Sequence, residues 1–134
     1  MLIRDGDVLL LQRSDDDEIG PGRWQCPAGM QEPCESIGTT LTREVSEETG
    51  LTVTRRQVLG TTVTAFHWDG TSFELEQHDF LITTEHTDVV LSSEHQAMAW
   101  VELGVACERD DLSPPVRTAL DRAASALEAD GEAV

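Results

Sequence analysis

Glu44, Glu47 and Glu48 stand at i, i+3 and i+4 on one stretch of predicted helix, where folding alone gives no reason to gather three carboxylates. Like charges at those spacings cost roughly 0.2–0.5 kcal/mol per pair. The stretch closes at Gly50, suited to a left-handed C-terminal cap, so Glu47 and Glu48 also lie at the negative end of the helix dipole. A divalent cation would reverse the sign of these terms, and clustered hard oxygen ligands are what magnesium or manganese bind. Such a centre supports attack by water on a phosphoanhydride. Metal neutralises the phosphate charge and lowers the pKa of a bound water, and a nearby carboxylate, Glu44 or Glu48 here, accepts the proton. The competing reading is a solvated acidic helix face in an acidic protein.

The elements that must hold these groups can be read from turn and period signals. Asp5-Gly6 between two short apolar runs predicts a hairpin opening the chain, with Leu9 and Leu11 on one side. The stretch 14–22 is polar and acidic and reads as a surface loop. Ile37, Leu41 and Val45 give the carboxylate helix a narrow apolar stripe, while Gly38, Thr39, Thr40, Thr42 and Ser46 are mediocre to poor helix formers, so packing must stabilise it. A second hairpin is expected over 61–68 and 71–84, turning at Asp69-Gly70, with a bulge or break near Gln77 where the apolar phase changes. A polar loop over 85–96 and a short strand over 98–101 follow. Ser113-Pro114-Pro115 starts a final helix whose face of Val116, Leu120, Ala124 and Leu127 should cover the sheet. The tail 129–134 is expected to fray.

A chain of 134 residues is one domain's worth, 1–134, with enough length for a single core. The longest apolar run near the start, 8–11, is too short for a signal-peptide core or a membrane span, which points to a cytoplasmic protein. Cys26, Cys34 and Cys107 form no CxxC pair and read as reduced thiols. The net charge of −17 comes from 26 acidic residues against 9 basic ones, all arginine. That balance argues against nucleic acid polymers and anionic membranes as partners. It leaves local arginines and metal to attract an anionic substrate.

The carboxylates lie within a longer pattern: Gly29, five residues, Glu35, seven residues, then Arg43-Glu44-Val45-Ser46-Glu47-Glu48-Thr49-Gly50-Leu51. This resembles the Nudix box, G(x5)E(x7)REUxEExGU with U aliphatic, at every specified position. Chance agreement is well below about one in a million on background frequencies. The resemblance extends to an LLxxR-like strand ending at Arg13, to Trp24 with Pro27-Ala28-Gly29, and to Glu94 ahead of Trp100-Val101. It implies a compact α/β/α sandwich around a mixed β-sheet. It also implies magnesium- or manganese-dependent hydrolysis of a phosphoanhydride in a nucleoside diphosphate linked to another group. By position, Glu44, Glu47 and Glu48 would bind metal, with the Gly29 carbonyl as a further ligand. Arg43 and Glu35 would brace helix and loop. Glu94 matches a downstream acid that in some members helps to bind metal or activate water. Cys34 stands where members commonly carry glycine, so a side chain there restricts the loop backbone.

Other residues divide between functional and bland readings. Arg13 either clamps a phosphate or ends a strand in solvent. Phe66 and Trp68, at a hairpin turn, are candidates for touching a nucleobase, although packing is the commoner fate of such rings. Trp24 and Trp100 read as core, and no spacing among His67, His78, His86 and His95 builds a metal site. The substrate expected is a nucleotide or another diphosphate, with nucleoside triphosphates the natural guess for so small a chain and ADP-ribose or another sugar nucleotide as alternatives. A regulatory domain that binds nucleotide without hydrolysis, and an acidic module binding calcium or a basic partner, are the readings of other classes. Loops 14–24, 66–73 and 85–96 are placed to select the substrate. A monomer or a homodimer is expected.

Overall fold

The structure, a computed structural model, describes residues 1–18 and 20–132, with side chains described as far as residue 129. Asp5 and Gly6 both adopt positive φ, 49° and 85°, and turn the chain from β1 (Ile3–Arg4) into β2 (Asp7–Arg13). β2 is the middle of a four-stranded sheet, pairing antiparallel with β1, β3 (Trp24–Gln25) and β6 (His95–Glu102). Val8, Leu9, Leu10 and Leu11 are all fully buried because the strand feeds two cores in alternation. Leu9 and Leu11 join Leu2, Val45, Leu51 and Ile82 beneath α1 (Ile37–Thr49). Val8 and Leu10 join Leu81, Leu103, Ala106 and Leu120 beneath α2 (Leu103–Cys107) and α3 (Pro114–Glu132). Each of these leucines contributes roughly 1.5–3 kcal/mol through burial.

The second sheet is one long hairpin, β4 (Val53–Trp68) and β5 (Thr71–Thr84), turning at Asp69-Gly70. The chain start ties the two sheets together: Leu2 bridges Ile82 in parallel, and the Ile82 N–H donates to the Met1 carbonyl at 2.8 Å. One parallel contact among antiparallel pairs makes the β-structure mixed. With α1 on one side and α2 and α3 on the other, the architecture is the α/β/α sandwich expected from the sequence.

Four local features differ from the sequence expectations. β4 begins at Val53 rather than at residue 61, because pairing with 80–84 of β5 draws the polar stretch around Arg55 and Arg56 into the strand. Gln77 pairs in register with Thr62; the irregularities lie in β4, between Val53 and Arg55 and between Val58 and Gly60. The change of apolar phase along β5 arises because Leu81 enters the core beneath α3 and Ile82 the core beneath α1. α2 is too short to show a helical period. The last helix continues through Glu132, where a frayed tail was expected from 129; residues 133 and 134 lie outside the described residues. Among the described residues no helix is long and apolar enough to cross a membrane.

Candidate functional site

α1 is held at both ends by its own sequence. The Ser36 hydroxyl accepts the Thr39 N–H at 3.1 Å, and Gly50 closes the helix at φ 72° with its N–H on the Ser46 carbonyl. Leu41 and Val45 anchor it to the core. The helix therefore presents Glu44, Glu47 and Glu48 in three different environments.

Glu48 is 2% exposed. Its only hydrogen bonds among the described residues are two long contacts, 3.4 Å each, from the Ala28 N–H. Burial pushes its pKa up to about 8; the Ala28 N–H opposes this, Glu44 and Glu94 add to it, and Arg13 lowers it. Glu44 lies directly over Gly29, where a Cβ would stand 1.9 Å from the Glu44 carboxyl carbon. Any side chain there would displace the Glu44 carboxylate, because the loop backbone runs against it. Glu47 points outward, its side chain 59% exposed.

Arg43 ties this helix to the loop before it. It donates Nε–H and Nη2–H to the two oxygens of Glu35 at 2.7 and 2.9 Å, and Nη2–H to the Met30 carbonyl at 3.0 Å. Nη1 reaches Glu44 at 2.7 Å and Glu47 at 3.3 Å. The hydrogen bonds from Arg43 and then Thr40 hold Glu35 down at about 2. Sequence spacing alone suggests that all three helix carboxylates repel one another unrelieved. Arg43 relieves Glu44 and Glu47, so the penalty concentrates on Glu48.

Cys34, in the same loop, takes φ 66°. A non-glycine residue in the left-handed region costs about 1–2 kcal/mol. Cys34→Gly is expected to raise stability by about 1 kcal/mol, read as a higher urea midpoint at unchanged slope; an unchanged or lower midpoint contradicts this.

Arg13 does not end its strand loose in solvent. Its Nε–H donates to Gln25 Oε1 at 3.0 Å, and Nη1 lies 3.0 and 2.9 Å from the two Asp17 oxygens. Gln25 in turn meets His95 Nε2 at 3.1 Å. His95 is 6% exposed, its pKa is lowered chiefly by burial, and its Nδ1 has no hydrogen-bond partner among the described residues. β3 and β6 bring Gln25 and His95 to β2, and Ser14 N–H donates to the Glu94 carbonyl at 2.9 Å, which fixes the Glu94 backbone beside the end of β2. Gln25 and His95 were not picked out from the sequence, because no local spacing joins segments that meet only through strand pairing; Asp17, four residues after Arg13, was read only as part of the polar loop.

The structure thus brings Gly29, Glu35, Arg43, Glu44, Glu48, Glu94 and Arg13 into one region. It does not bring Phe66 or Trp68 there. β4 meets α1 where Arg56 crosses Gly38, and Phe66 lies about 30 Å further along the strand at the usual rise per residue. Among the described residues no three acidic, histidine or cysteine side chains already form a metal cage. The carboxylates are instead spread along α1, with Glu94 near enough to act on the charge of Glu48.

A family model described as the NUDIX domain matches residues 1–123. The chain belongs to the Nudix family. It is a Nudix hydrolase, a class acting on pyrophosphate bonds. It is 30% identical over 114 residues to a protein named nucleoside triphosphatase NudI from Escherichia coli O81 (strain ED1a), covering 76% of this chain and 77% of the relative. Among solved structures, the MutT protein from Methanosarcina mazei Go1 superposes with a TM-score of 0.70 at 29% identity, covering 91% of this hydrolase and 86% of that chain. A NUDIX hydrolase from Nitrosomonas europaea superposes at 0.74 with 22% identity over 93% and 84%, a likeness of fold.

Proposed function

We propose that this Nudix hydrolase is a nucleoside triphosphate pyrophosphohydrolase, releasing a nucleoside monophosphate and pyrophosphate with magnesium or manganese as its cofactor. The observation carrying this reading is Glu48: a carboxylate almost without solvent, satisfied by one long N–H contact, beside Glu44 at the Gly29 loop. An under-satisfied buried carboxylate is what a hard cation completes, and a donor set of oxygens without histidine or thiolate suits magnesium or manganese. Support for the substrate class comes from the relative named a nucleoside triphosphatase.

Glu44, Glu47 and Glu48 would hold the metal, with the Gly29 carbonyl as a further donor. When bound, the metal neutralises phosphate charge and makes a water nucleophilic near neutral pH. Glu44 or Glu48 orients the attacking water and accepts its proton, with Glu94 as the third candidate. Arg13, already oriented by Gln25 and Asp17, offers its guanidinium to a phosphate oxygen. Arg43 and Glu35 keep helix and loop in register so that Glu44 stays over Gly29.

The deciding experiment is a hydrolysis panel of nucleoside triphosphates, ADP-ribose, other sugar nucleotides and dinucleoside polyphosphates, with the products identified. Monophosphate and pyrophosphate should appear from triphosphates with either metal and vanish with chelator. Faster turnover of ADP-ribose moves the assignment to a sugar-nucleotide pyrophosphatase, and metal-independent turnover overturns the cofactor.

A further inference from the structure

Residues 61–68 of β4 read Thr-Thr-Val-Thr-Ala-Phe-His-Trp, with no acidic or basic charge apart from a titratable histidine and no proline, on a chain of net charge −17. One edge of this segment pairs with β5 as far as Trp68 and Thr71; the other pairs with nothing among the described residues. Cover from the rest of the domain stops where the segment starts. Arg122 of α3 crosses Gly60, donating to the Thr61 carbonyl at 3.3 Å and to Asp79 at 2.9 Å. Beyond Thr62 every residue of β4 is exposed, Trp68 at 64% and Phe66 at 41%.

The cross-strand register sets Thr62, Thr64, Phe66 and Trp68 on one face with Gln77, Leu75, Phe73 and Thr71, and Phe66 stacks on Phe73 with centroids 5.4 Å apart. No charged residue stands on that face; Glu74 and Glu76 lie on the other. A two-stranded ribbon is marginal in water by itself. Exposed edges are ordinarily blunted by lysine, proline or charge, and this one carries none. Charge decides the occupant. Elsewhere a second acidic copy meets carboxylates and is repelled, whereas the 62–68 edge lets it approach without that cost. A basic partner, drawn to the acidic surface in general, would find no carboxylate on this face to pair with.

We propose that the hydrolase dimerises by pairing 62–68 of β4 antiparallel with the same segment of a second copy across a two-fold axis. The result is one continuous sheet, β5–β4–β4–β5, in which Phe66 and Trp68 of each copy lie beside threonines of the other. Because the seam is uncharged and the two domains repel, added salt tightens the dimer by screening.

The test is sedimentation equilibrium of the full chain over a dilution series and at two salt concentrations, with hydrogen exchange at both ends of the series. A reversible monomer–dimer equilibrium is expected, tighter in high salt, with 62–68 amides exchanging about tenfold more slowly in the dimer. Thr64→Glu combined with Trp68→Glu should weaken association about tenfold or more, with the dilute monomer melting as before, because the carboxylates introduced at 64 and 68 lie diagonally across the seam from those of the partner. Since the exchange measurement uses the unaltered chain, it decides even if that variant folds poorly. A chain that stays monomeric, a dimer protected outside 62–68, a dimer loosened by salt, or a folded double variant that still dimerises overturns the proposal.

Discussion

Glu44→Gln and Glu48→Gln should each lower kcat by roughly 10²–10⁴-fold, the range for losing a positioned proton acceptor or the charge that stabilises its partner. Each substitution keeps the shape of the side chain and removes its capacity to carry charge. The amide oxygen introduced by Glu48→Gln can still accept the Ala28 N–H, so the fold is expected to stand, as circular dichroism and melting would show. Glu47→Gln should cost less, because Glu47 is largely in solvent and shares Arg43 with Glu44 and Glu35. A metal titration of each variant separates the roles. Loss of a metal donor raises the metal concentration needed for half-maximal rate, whereas loss of the proton acceptor lowers the plateau at unchanged metal dependence. Turnover like the unaltered chain in both Glu44→Gln and Glu48→Gln would remove α1 from the chemistry.

What the sequence revealed and what it hid follow from the range of the interactions. The carboxylate line, the Gly50 cap and the Gly29 spacing are local on the helix or within a short loop, so residue type and interval are enough to find them, whereas the Ser36 cap was found only in the structure. The strain at Cys34 was foreshadowed only through the family resemblance, which commonly places glycine at that position; here the residue takes φ 66°. The Arg13–Gln25–His95 chain was not legible, since β2 brings its members together from three segments. Nor was the division of labour among the glutamates. Equal spacing suggests equal repulsion, and only the placement of Arg43 shows that Glu44 and Glu47 are compensated while Glu48 is not. The length of β4 was missed because pairing with β5 overrides the weak strand propensity of its polar start.

The concentration of that penalty on Glu48 leads to the second large effect, on stability rather than rate. In the folded chain the Glu48 carboxyl titrates at about 8, against an ordinary value of 4.5. Between those values the folded state holds a proton that the unfolded state has released, so stability falls as pH rises through the window and the whole penalty is present above it. Glu35 acts in another range: held at about 2, it contributes stability above 4.5 that is lost as pH falls towards 2. His95, its pKa lowered by burial, favours the folded state as pH rises through the usual histidine range. The difference between the unaltered chain and Glu48→Gln isolates Glu48 from both. In chelator the two should melt alike near pH 4.5 and diverge towards pH 8, where the variant is more stable by on the order of 2–4 kcal/mol. For a domain of this size that is a melting temperature higher by roughly 5–10 °C. Magnesium should then reverse the ranking, because binding to the folded state raises the melting temperature of the unaltered chain by mass action while the variant has lost a donor. Parallel melting curves from pH 5 to 8, or equal magnesium shifts in the two proteins, would mean that Glu48 carries no buried charge for a cation to relieve.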